Sequence, residues 1–178
     1  VSGTGFAKQG YPVRGLFSIP FEGLDKNGVP LVLNEKGEVS STQINFQERQ
    51  ATDFLKYEGP TDPTITGSLG NVFTYKGFRL NVFVTYSFGN VIRLNPVFKA
   101  QYSDLSSMTR EFKNRWTLSG EENITKVPAI LNKRDYESNK DIRYGYNAYN
   151  YSTERIAKGD FIRMKEISLS YDFPRTWI

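Results

Sequence analysis

The sequence predicts an all-β fold: a fragment of a large antiparallel transmembrane β-barrel with long extracellular loops and one short helix near residues 103–116. Three observations support this fold class. Aromatic residues make up 15% of the 178-residue chain, a composition that favours strands. Segment 70–90, GNVFTYKGFRLNVFVTYSFGN, alternates apolar and polar residues over arms about twice as long as an ordinary strand. One short and one long connection flank its second arm, as in outer-membrane barrels.

Composition excludes several function classes. The chain has no Cys and no His, which removes disulfides, thiol catalysis, imidazole bases and His-rich metal sites. The 23 basic and 19 acidic residues are interspersed, without the basic stripe expected of a nucleic-acid partner. Mean hydropathy is −0.50, and an alternating strand can hide one apolar face within such an average. No cofactor and no enzymatic activity are expected.

Neither a transmembrane helix nor a signal peptide is evident. No apolar run approaches the roughly 18 residues of a spanning helix. The opening VSGTGFAKQG lacks the charged start and apolar centre of a leader. Because membrane strands give no long apolar run, the missing helix signal does not indicate a soluble protein.

Residues 1–62 are expected to form a strand and an extracellular excursion. YPVRGLFSIPF alternates between Tyr11 and Phe21, which indicates one strand. Two Gly-containing turns, at 26–28 and 35–37, bracket a short strand in VPLVL.

Residues 63–90 form the predicted membrane hairpin, with a short periplasmic turn at 76–77. Its second arm, at 3.3 Å per residue and a tilt of about 45°, covers about 23 Å of height, close to the apolar band of an outer-membrane barrel. Val72 and Phe83 break the alternation and are expected to point into the lumen, where a plug could cover them. The residues expected to face lipid on this arm are Phe78, Leu80, Val82, Val84, Tyr86 and Phe88. Asn81, Thr85 and Ser87 are expected to line the lumen.

Residues 91–159 are expected to form an extracellular loop, since a connection of this length is unusual in a compact domain. Ser103 or Asp104 could cap a helix. Leu105, Met108, Phe112 and Trp116 would form its apolar stripe, which is more typical of packing than of a partner groove.

Residues 160–174 form the last predicted membrane strand. Ile167, Leu169, Tyr171 and Phe173 share the lipid-facing parity. Arg163 and Lys165 carry charge on that same parity, which leaves two alternatives. Either a bulge near 165–166 shifts the phase, or both cations lie beyond the apolar zone, where they could meet lipopolysaccharide phosphates.

Two other architectures fit the alternation. One is a soluble β-sandwich, such as a carbohydrate-binding module that uses the Tyr-rich loop. The other is a self-contained outer-membrane barrel of about eight strands. Strand length, aromatics at both strand ends and the short-turn, long-loop asymmetry favour the large barrel.

Four spaced segments resemble one family: GYPVRGLFSIPFEGLDKNGVP, FTYKGFRLNVFVTYSFGN, NRWT with the later VPAI, and ERIAKGDFIRMKEISLSYDFP. They resemble the C-terminal barrel half of SusC-like (SusC/RagA) TonB-dependent transporters. The resemblance implies a multi-pass barrel of about 22 strands in the bacterial outer membrane. It further implies an N-terminal plug that couples to TonB, a SusD-like surface lipoprotein as lid, and glycan or oligopeptide cargo.

The resemblance covers one part of such a transporter. No plug, no TonB box and too few strands are evident, so the chain is expected to be a fragment. Open strand edges are not viable in lipid, and the chain is therefore expected to be stable only within the full barrel.

The expected functional side chains lie in the long loop. Aromatic rings there could stack on a sugar or grip a peptide, or contact the lid protein; the alternative is that they pack the loop. Glu121 with Glu122, and Asp135 with Glu137, lack the ligand spacing of a calcium loop and are expected to be solvated charges. The aromatic candidates are Trp116, Tyr136, Tyr144, Tyr146, Tyr149 and Tyr151.

Overall fold

The structure, a computed structural model, describes residues 7–44, 52–99 and 107–174. The described chain is dominated by antiparallel strands with few helices, so the predicted all-β class is confirmed. It divides into a single-layer sheet of three long strands and a compact cap, which contains the remaining elements. The described strands do not close into a barrel.

The described strands and helices follow in chain order. The strands are β1 (Gly15–Ser18), β2 (Phe21–Leu24), β3 (Pro30–Leu33), β4 (Val39–Ser40), β5 (Lys56–Pro60), β6 (Ile65–Tyr75), β7 (Phe78–Phe88), β8 (Val91–Arg93), β9 (Ile156–Lys158) and β10 (Phe161–Tyr171). The α-helices are α1 (Lys133–Ser138) and α2 (Ile142–Asn150), and short 3₁₀ helices span Arg110–Asn114, Glu121–Asn123 and Thr153–Arg155.

Two repeated turns build the first part of the cap. In the turn between β2 and β3, the Asp25 carboxylate accepts hydrogen bonds from the Asn27 and Val29 amides, both at 2.8 Å. In the turn between β3 and β4, the Asn34 side-chain oxygen accepts from two amides in the same pattern. Asx turns of this kind explain why both turn signals in the sequence were good predictors.

The hydrophobic core lies in the cap and joins both of its chain segments. Ile19, Val32 and Ile44 from the first segment pack against Ala148 of α2. Helix α2 turns one face inward, so that Tyr146 and Tyr149 are also buried. Arg155 is 2% exposed, is paired with Glu111, and donates to the Asn95 carbonyl oxygen at 2.7 Å. The two excursions of the sequence therefore form one folded unit.

The three long strands form an antiparallel sheet in the order β10-β7-β6. Each has 11 residues, and β6 joins β7 through a two-residue turn with Tyr75 opposite Phe78. Lys76 and Gly77 both have positive φ, at 46° and 86°, as a type I′ hairpin turn requires. The hairpin and its turn thus lie where the alternation of the sequence indicates, while the periplasmic placement of the turn stays a prediction.

The sheet continues directly into the cap. Strands β8 and β9 form a separate two-stranded antiparallel sheet directly beyond the ends of β7 and β10. At the junction the Gly89 amide donates to the Asp160 carboxylate at 2.7 Å, and the Gly159 amide donates to the Asn90 carbonyl at 2.8 Å. These bonds cross-link the two strands where the sheet meets the cap.

The short helix predicted near 103–116 is present as a 3₁₀ helix. Within 103–116 the described residues contain only the 3₁₀ helix Arg110–Asn114, while residues 103–106, with Leu105, lie outside the described ranges. The α-helices fall at 133–150, where the sequence indicated an irregular loop. In the described ranges, no helix combines the length and apolar character needed to cross a bilayer.

Candidate functional site

The candidate functional site is the three-stranded sheet, whose register places its apolar residues on one face. Directly paired residues share a face of a sheet, and faces alternate along a strand. Leu80 lies between Phe73 and Leu169, and Val84 lies between Leu69 and Met164. We call the resulting set the apolar face: Ile65, Leu69, Phe73 and Tyr75 of β6, Phe78, Leu80, Val82, Val84, Tyr86 and Phe88 of β7, and Ile162, Met164, Ile167, Leu169 and Tyr171 of β10. Gly67 and Asn71 complete this face on β6.

No other described element covers the apolar face. Leu69 and Leu169 are each 68% exposed, and Ile167 is 64% exposed. A soluble protein rarely leaves so large a contiguous apolar surface in water. The face therefore requires an apolar environment that the described chain does not itself supply.

The opposite face of the sheet is polar and carries its own hydrogen bonds. The Asn81 amide donates to Glu166 Oε1 at 2.7 Å, and the Ser168 hydroxyl donates to the same oxygen at 3.3 Å. The Arg163 guanidinium carbon lies 5.0 Å from the centre of the Phe161 ring, a cation–π contact. This polar face has the chemistry of a wall that meets water.

Two aromatic rings fill glycine positions, one on each face. The Tyr86 ring lies over Gly67 on the apolar face, in the space that a Cβ at position 67 would occupy. The Phe83 ring lies over Gly70 on the polar face, 3.1 Å from where a Cβ would be. Phe83, which breaks the alternation of the sequence, thus lies on the polar face and packs against backbone. Val72 pairs with Asn81 and also lies on the polar face.

A bulge in β10 resolves the phase of that strand. The register with β7 shifts between Met164 and Glu166, so Lys165 is the extra residue. Before the bulge, Arg163 pairs with Thr85 on the polar face, while Met164 pairs with Val84 on the apolar face. Of the two alternatives left by the sequence, the bulge is confirmed. The bulge reverses the phase upstream of it, which is why Arg163 shares the sequence parity of Ile167 but not its face of the sheet.

Aromatic pairs mark both ends of the apolar face. At the turn end, Phe78 and Tyr171 lie 4.5 Å apart between ring centres, and Phe173 meets Tyr171 edge-on at 5.2 Å. At the other end, Tyr86 and Phe88 stack at 5.5 Å. Amphipathic rings at both ends of an apolar band are typical of strands that end at membrane interfaces.

The aromatic candidates of the long loop are mostly packed into the cap. Tyr146 and Tyr149 are 2% and 1% exposed, so for these two the burial supports the packing alternative over ligand contact. Burial raises the pKa of Tyr149 to about 12. Tyr144 and Tyr151 are half-buried against the cap core, and Tyr136 is half-buried on α1.

Trp116 is half-buried with its orientation fixed. Its ring lies against Gly28, whose φ of 74° and missing Cβ leave room for it, and its indole nitrogen donates to Glu122 at 3.1 Å. The same residue borders an open groove of about 710 Å³, whose other walls include Asn132 and Asp135. Trp116 therefore keeps access to an outside partner.

The carboxylates considered as a metal site are used inside the loop. Glu121 accepts from the Thr117 and Leu118 amides, and these bonds hold the pKa of its carboxyl below the usual range. Asp135 accepts from the Asn132 side-chain amide at 2.6 Å beside the start of α1. In the described ranges no group of three or more acidic residues is arranged to hold a metal ion.

Comparisons with known proteins agree with the geometry. No protein-family model matches the sequence, and no curated protein matches it significantly. Among solved structures, the chain is similar to a chain of the RagAB peptide importer in its "open-open" state, with a TM-score of 0.57 and 19% identity. The alignment covers 94% of this chain and 17% of that chain, so this chain spans about a sixth of its neighbour's length. This chain thus has the fold of one part of that importer.

Proposed function

We propose that this chain is part of the barrel wall of an outer-membrane, TonB-dependent importer of the SusC-like type. The observation that carries the proposal is the two-faced sheet, with an uncovered apolar face and a hydrogen-bonded polar face. On this proposal the apolar face meets lipid and the polar face lines the lumen. The chain performs no chemistry and acts as a wall and a docking surface.

The dimensions of the sheet suit this role. Strand β7 spans 11 residues, about 33 Å at 3.3 Å per residue. A tilt of about 45° reduces this to about 23 Å of height, which matches an apolar band of about 25 Å. The turn at Lys76 and Gly77 would then lie on the periplasmic side, and the cap would stand outside the cell.

Partners and cargo follow from the same proposal. A cap of this size at the barrel mouth would contact a SusD-like lipoprotein lid, and a plug outside this chain would couple to TonB. The half-buried Trp116, beside its groove, is the aromatic candidate best placed to meet cargo or the lid. The neighbour in the comparisons is a peptide importer, but at 19% identity that does not choose between oligopeptide and glycan for this chain.

The soluble sandwich is the second candidate, and one observation weighs against it. A sandwich needs a second layer about 10 Å from the apolar face. In the described ranges no second sheet or helix takes that position, and the cap core lies elsewhere.

The test is a scan of single cysteines along β7 in the complete importer, which is unambiguous within this chain because it has no native cysteine. Spin labels at Leu80, Val82 and Val84 should collide readily with oxygen, which partitions into lipid. Labels at Asn81 and Thr85 should collide instead with a water-soluble nickel chelate. The two accessibilities should alternate with a period of two and in opposite phase.

Two other outcomes would contradict the proposal. In a sandwich, labels on the apolar face would be shielded from both reagents. In an exposed soluble sheet, both faces would collide with the nickel chelate. A gene for a surface lipoprotein beside the gene for this chain would support the partner assignment, and purification of a folded importer with no bound lipoprotein under any condition would count against it.

A further inference from the structure

Two oppositely charged side chains, both partly buried, lie where the cap joins the sheet. Between β1 and β5 the register shifts, with Leu16 opposite Gly59 and Phe17 opposite Tyr57, so Glu58 is the extra residue of a β-bulge. Bulges commonly redirect a side chain. The Glu58 side chain is only 12% exposed. A Cβ at the neighbouring Gly59 would lie 3.2 Å from Val91 Cγ1 of β8, the strand that also carries Arg93.

Arg93 holds several elements together but leaves part of its guanidinium unused. Its Nη2 donates to the Phe17 carbonyl at 2.7 Å, and its guanidinium carbon lies 5.5 Å from the centre of the Tyr151 ring. Its Nε and Nη1 are buried and have no hydrogen-bond partner among the described residues. Burial lowers the pKa of Arg93, while Tyr151 and Glu58 act in the opposite direction.

Glu58 likewise has a buried side-chain atom with no hydrogen-bond partner in the described part of the chain. Its Oε2 lies 3.8 Å from the Lys56 ammonium, at the outer limit of an ion pair, and its Oε1 is buried without a partner in the described part of the chain. Burial raises the pKa of Glu58, while the charges of Lys56 and Arg93 oppose that shift. The carboxylate and the guanidinium thus feel each other's charge, yet no direct ion pair within 4.0 Å joins them.

These unpaired atoms lower the stability of the fold unless a further group supplies their hydrogen bonds. A buried donor or acceptor without a partner costs about 1–3 kcal/mol, and more when it is charged. Buried polar atoms in proteins are almost always satisfied, often by an internal water that makes two to four hydrogen bonds. One unused carboxylate oxygen and two unused guanidinium nitrogens match that capacity.

We propose that ordered water bridges Glu58 Oε1 to Nε or Nη1 of Arg93, forming an internal hydration site at the joint between β5 and β8. Water is favoured over other small ligands because the site offers both an acceptor and donors. A metal cation would meet the guanidinium, and an anion would meet the carboxylate. This site does not depend on the transport function, since it follows from the cap alone.

The position of the site gives the water a structural role. Strand β5 leads into β6, and β8 follows β7, so the bridge would join the two strands just above the sheet. A bridging water is enthalpically nearly as good as a direct hydrogen bond, so it can hold the two strands together at this point.

The first test is a structure of the complete protein at a resolution that shows ordered water. Density should lie within about 3.2 Å of Glu58 Oε1 and of Nε or Nη1 of Arg93. Direct contact between the two side chains at that distance, with no density between them, would overturn the proposal.

Hydrogen exchange at the β8 amides gives the second test. Glu58→Leu removes the acceptor and leaves the Arg93 donors unpaired, so protection should fall about tenfold or more relative to the exposed control Glu22→Leu. Glu58→Gln keeps an acceptor oxygen and should stay within about threefold of wild type. If Glu58→Leu left the protection of the β8 amides unchanged or increased it, the Glu58 carboxylate would not stabilise this joint, and the bridge would not exist.

Discussion

Replacing Ile167 by arginine should be among the most damaging single changes in the sheet. Ile167 is 64% exposed on the apolar face and pairs with Val82, four residues from Phe78. Four residues at 3.3 Å and a tilt of about 45° place it about 9 Å inside an apolar band about 25 Å high. This depth is within a few ångströms of the midplane, where an arginine facing lipid costs about 2–4 kcal/mol.

The adjacent residue supplies a matched control. Ser168 pairs with Asn81, one residue nearer the turn and at nearly the same depth, but lies on the polar face, where its hydroxyl donates to Glu166. Ser168→Arg would place its guanidinium within reach of that carboxylate and in the lumen, so it should cost less than about 1 kcal/mol. Ile162 is also on the apolar face, but it pairs with Tyr86, four residues further along β7 than Val82. Ile162→Arg should cost about 1 kcal/mol, because that position lies about 19 Å from the turn end and therefore nearer the far edge of the band.

The assay is denaturant unfolding of the complete importer in lipid vesicles, read by the change in gel mobility between folded and unfolded barrel. The expected order of destabilisation is Ile167→Arg, then Ile162→Arg, then Ser168→Arg. Equal costs at Ile167 and Ser168 would show that the two faces do not meet different solvents. Equal losses of unfolding free energy for Ile167→Arg and Ile162→Arg would show that the cost does not depend on depth in a membrane, and would indicate the core of a soluble protein.

Three further predictions concern individual contacts. Gly67→Ala should lower the free energy of unfolding by about 1–3 kcal/mol, because its Cβ would meet the Tyr86 ring. The double variant Gly67→Ala with Tyr86→Ala should cost less than the sum of the two single changes. Strict additivity of the two costs would refute the contact. The Tyr149 phenol should stay protonated well above pH 10, because its folded pKa of about 12 exceeds the unfolded value; its contribution to stability is present below pH 10 and is lost as pH rises to 12. The check is an absorbance titration of tyrosinate in the wild type and in Tyr149→Phe. If the variant lost part of the absorbance that appears near pH 10, Tyr149 would ionise there and the prediction would be wrong. Arg155→Met should cost about 3 kcal/mol, the lower end of the range for a buried pair, because Glu111 is half-exposed. Hydrogen exchange of the cap should report this loss, and protection equal to that of wild type would show that the pair contributes nothing.

Local pattern accounts for the parts of the fold that sequence predicted well. The hairpin of β6 and β7 follows from alternation, and its turn follows from Lys76 and Gly77, whose positive φ values suit a type I′ turn. These signals lie within a few residues of one another. In β10 the local pattern leaves two alternatives, a bulge near 165–166 or cations beyond the apolar zone, and the pairing with β7 shows the bulge.

The cap could not be predicted in the same way because its determinants are not local. Helix α2 contains Gly145, Asn147 and several tyrosines, which are weak helix formers, so its sequence resembles a polar loop. It is held by packing of Ala148 and Tyr149 among residues from the other segment. Conversely, the stripe near Trp116 has helical spacing, yet that ring is held by Gly28 and Glu122 instead.

The shared core of the cap also constrains the order of events during biogenesis. Ile19 and Ala148 come from opposite ends of the described chain, with β6 and β7 between them. The cap therefore cannot complete its core until the segments on both sides of the hairpin have reached the same side of the membrane. Contacts of such long range are slow to form, because the entropy of closing the long intervening chain opposes them. Closure of the cap would thus act as a checkpoint that locks the hairpin in place only after its insertion is complete.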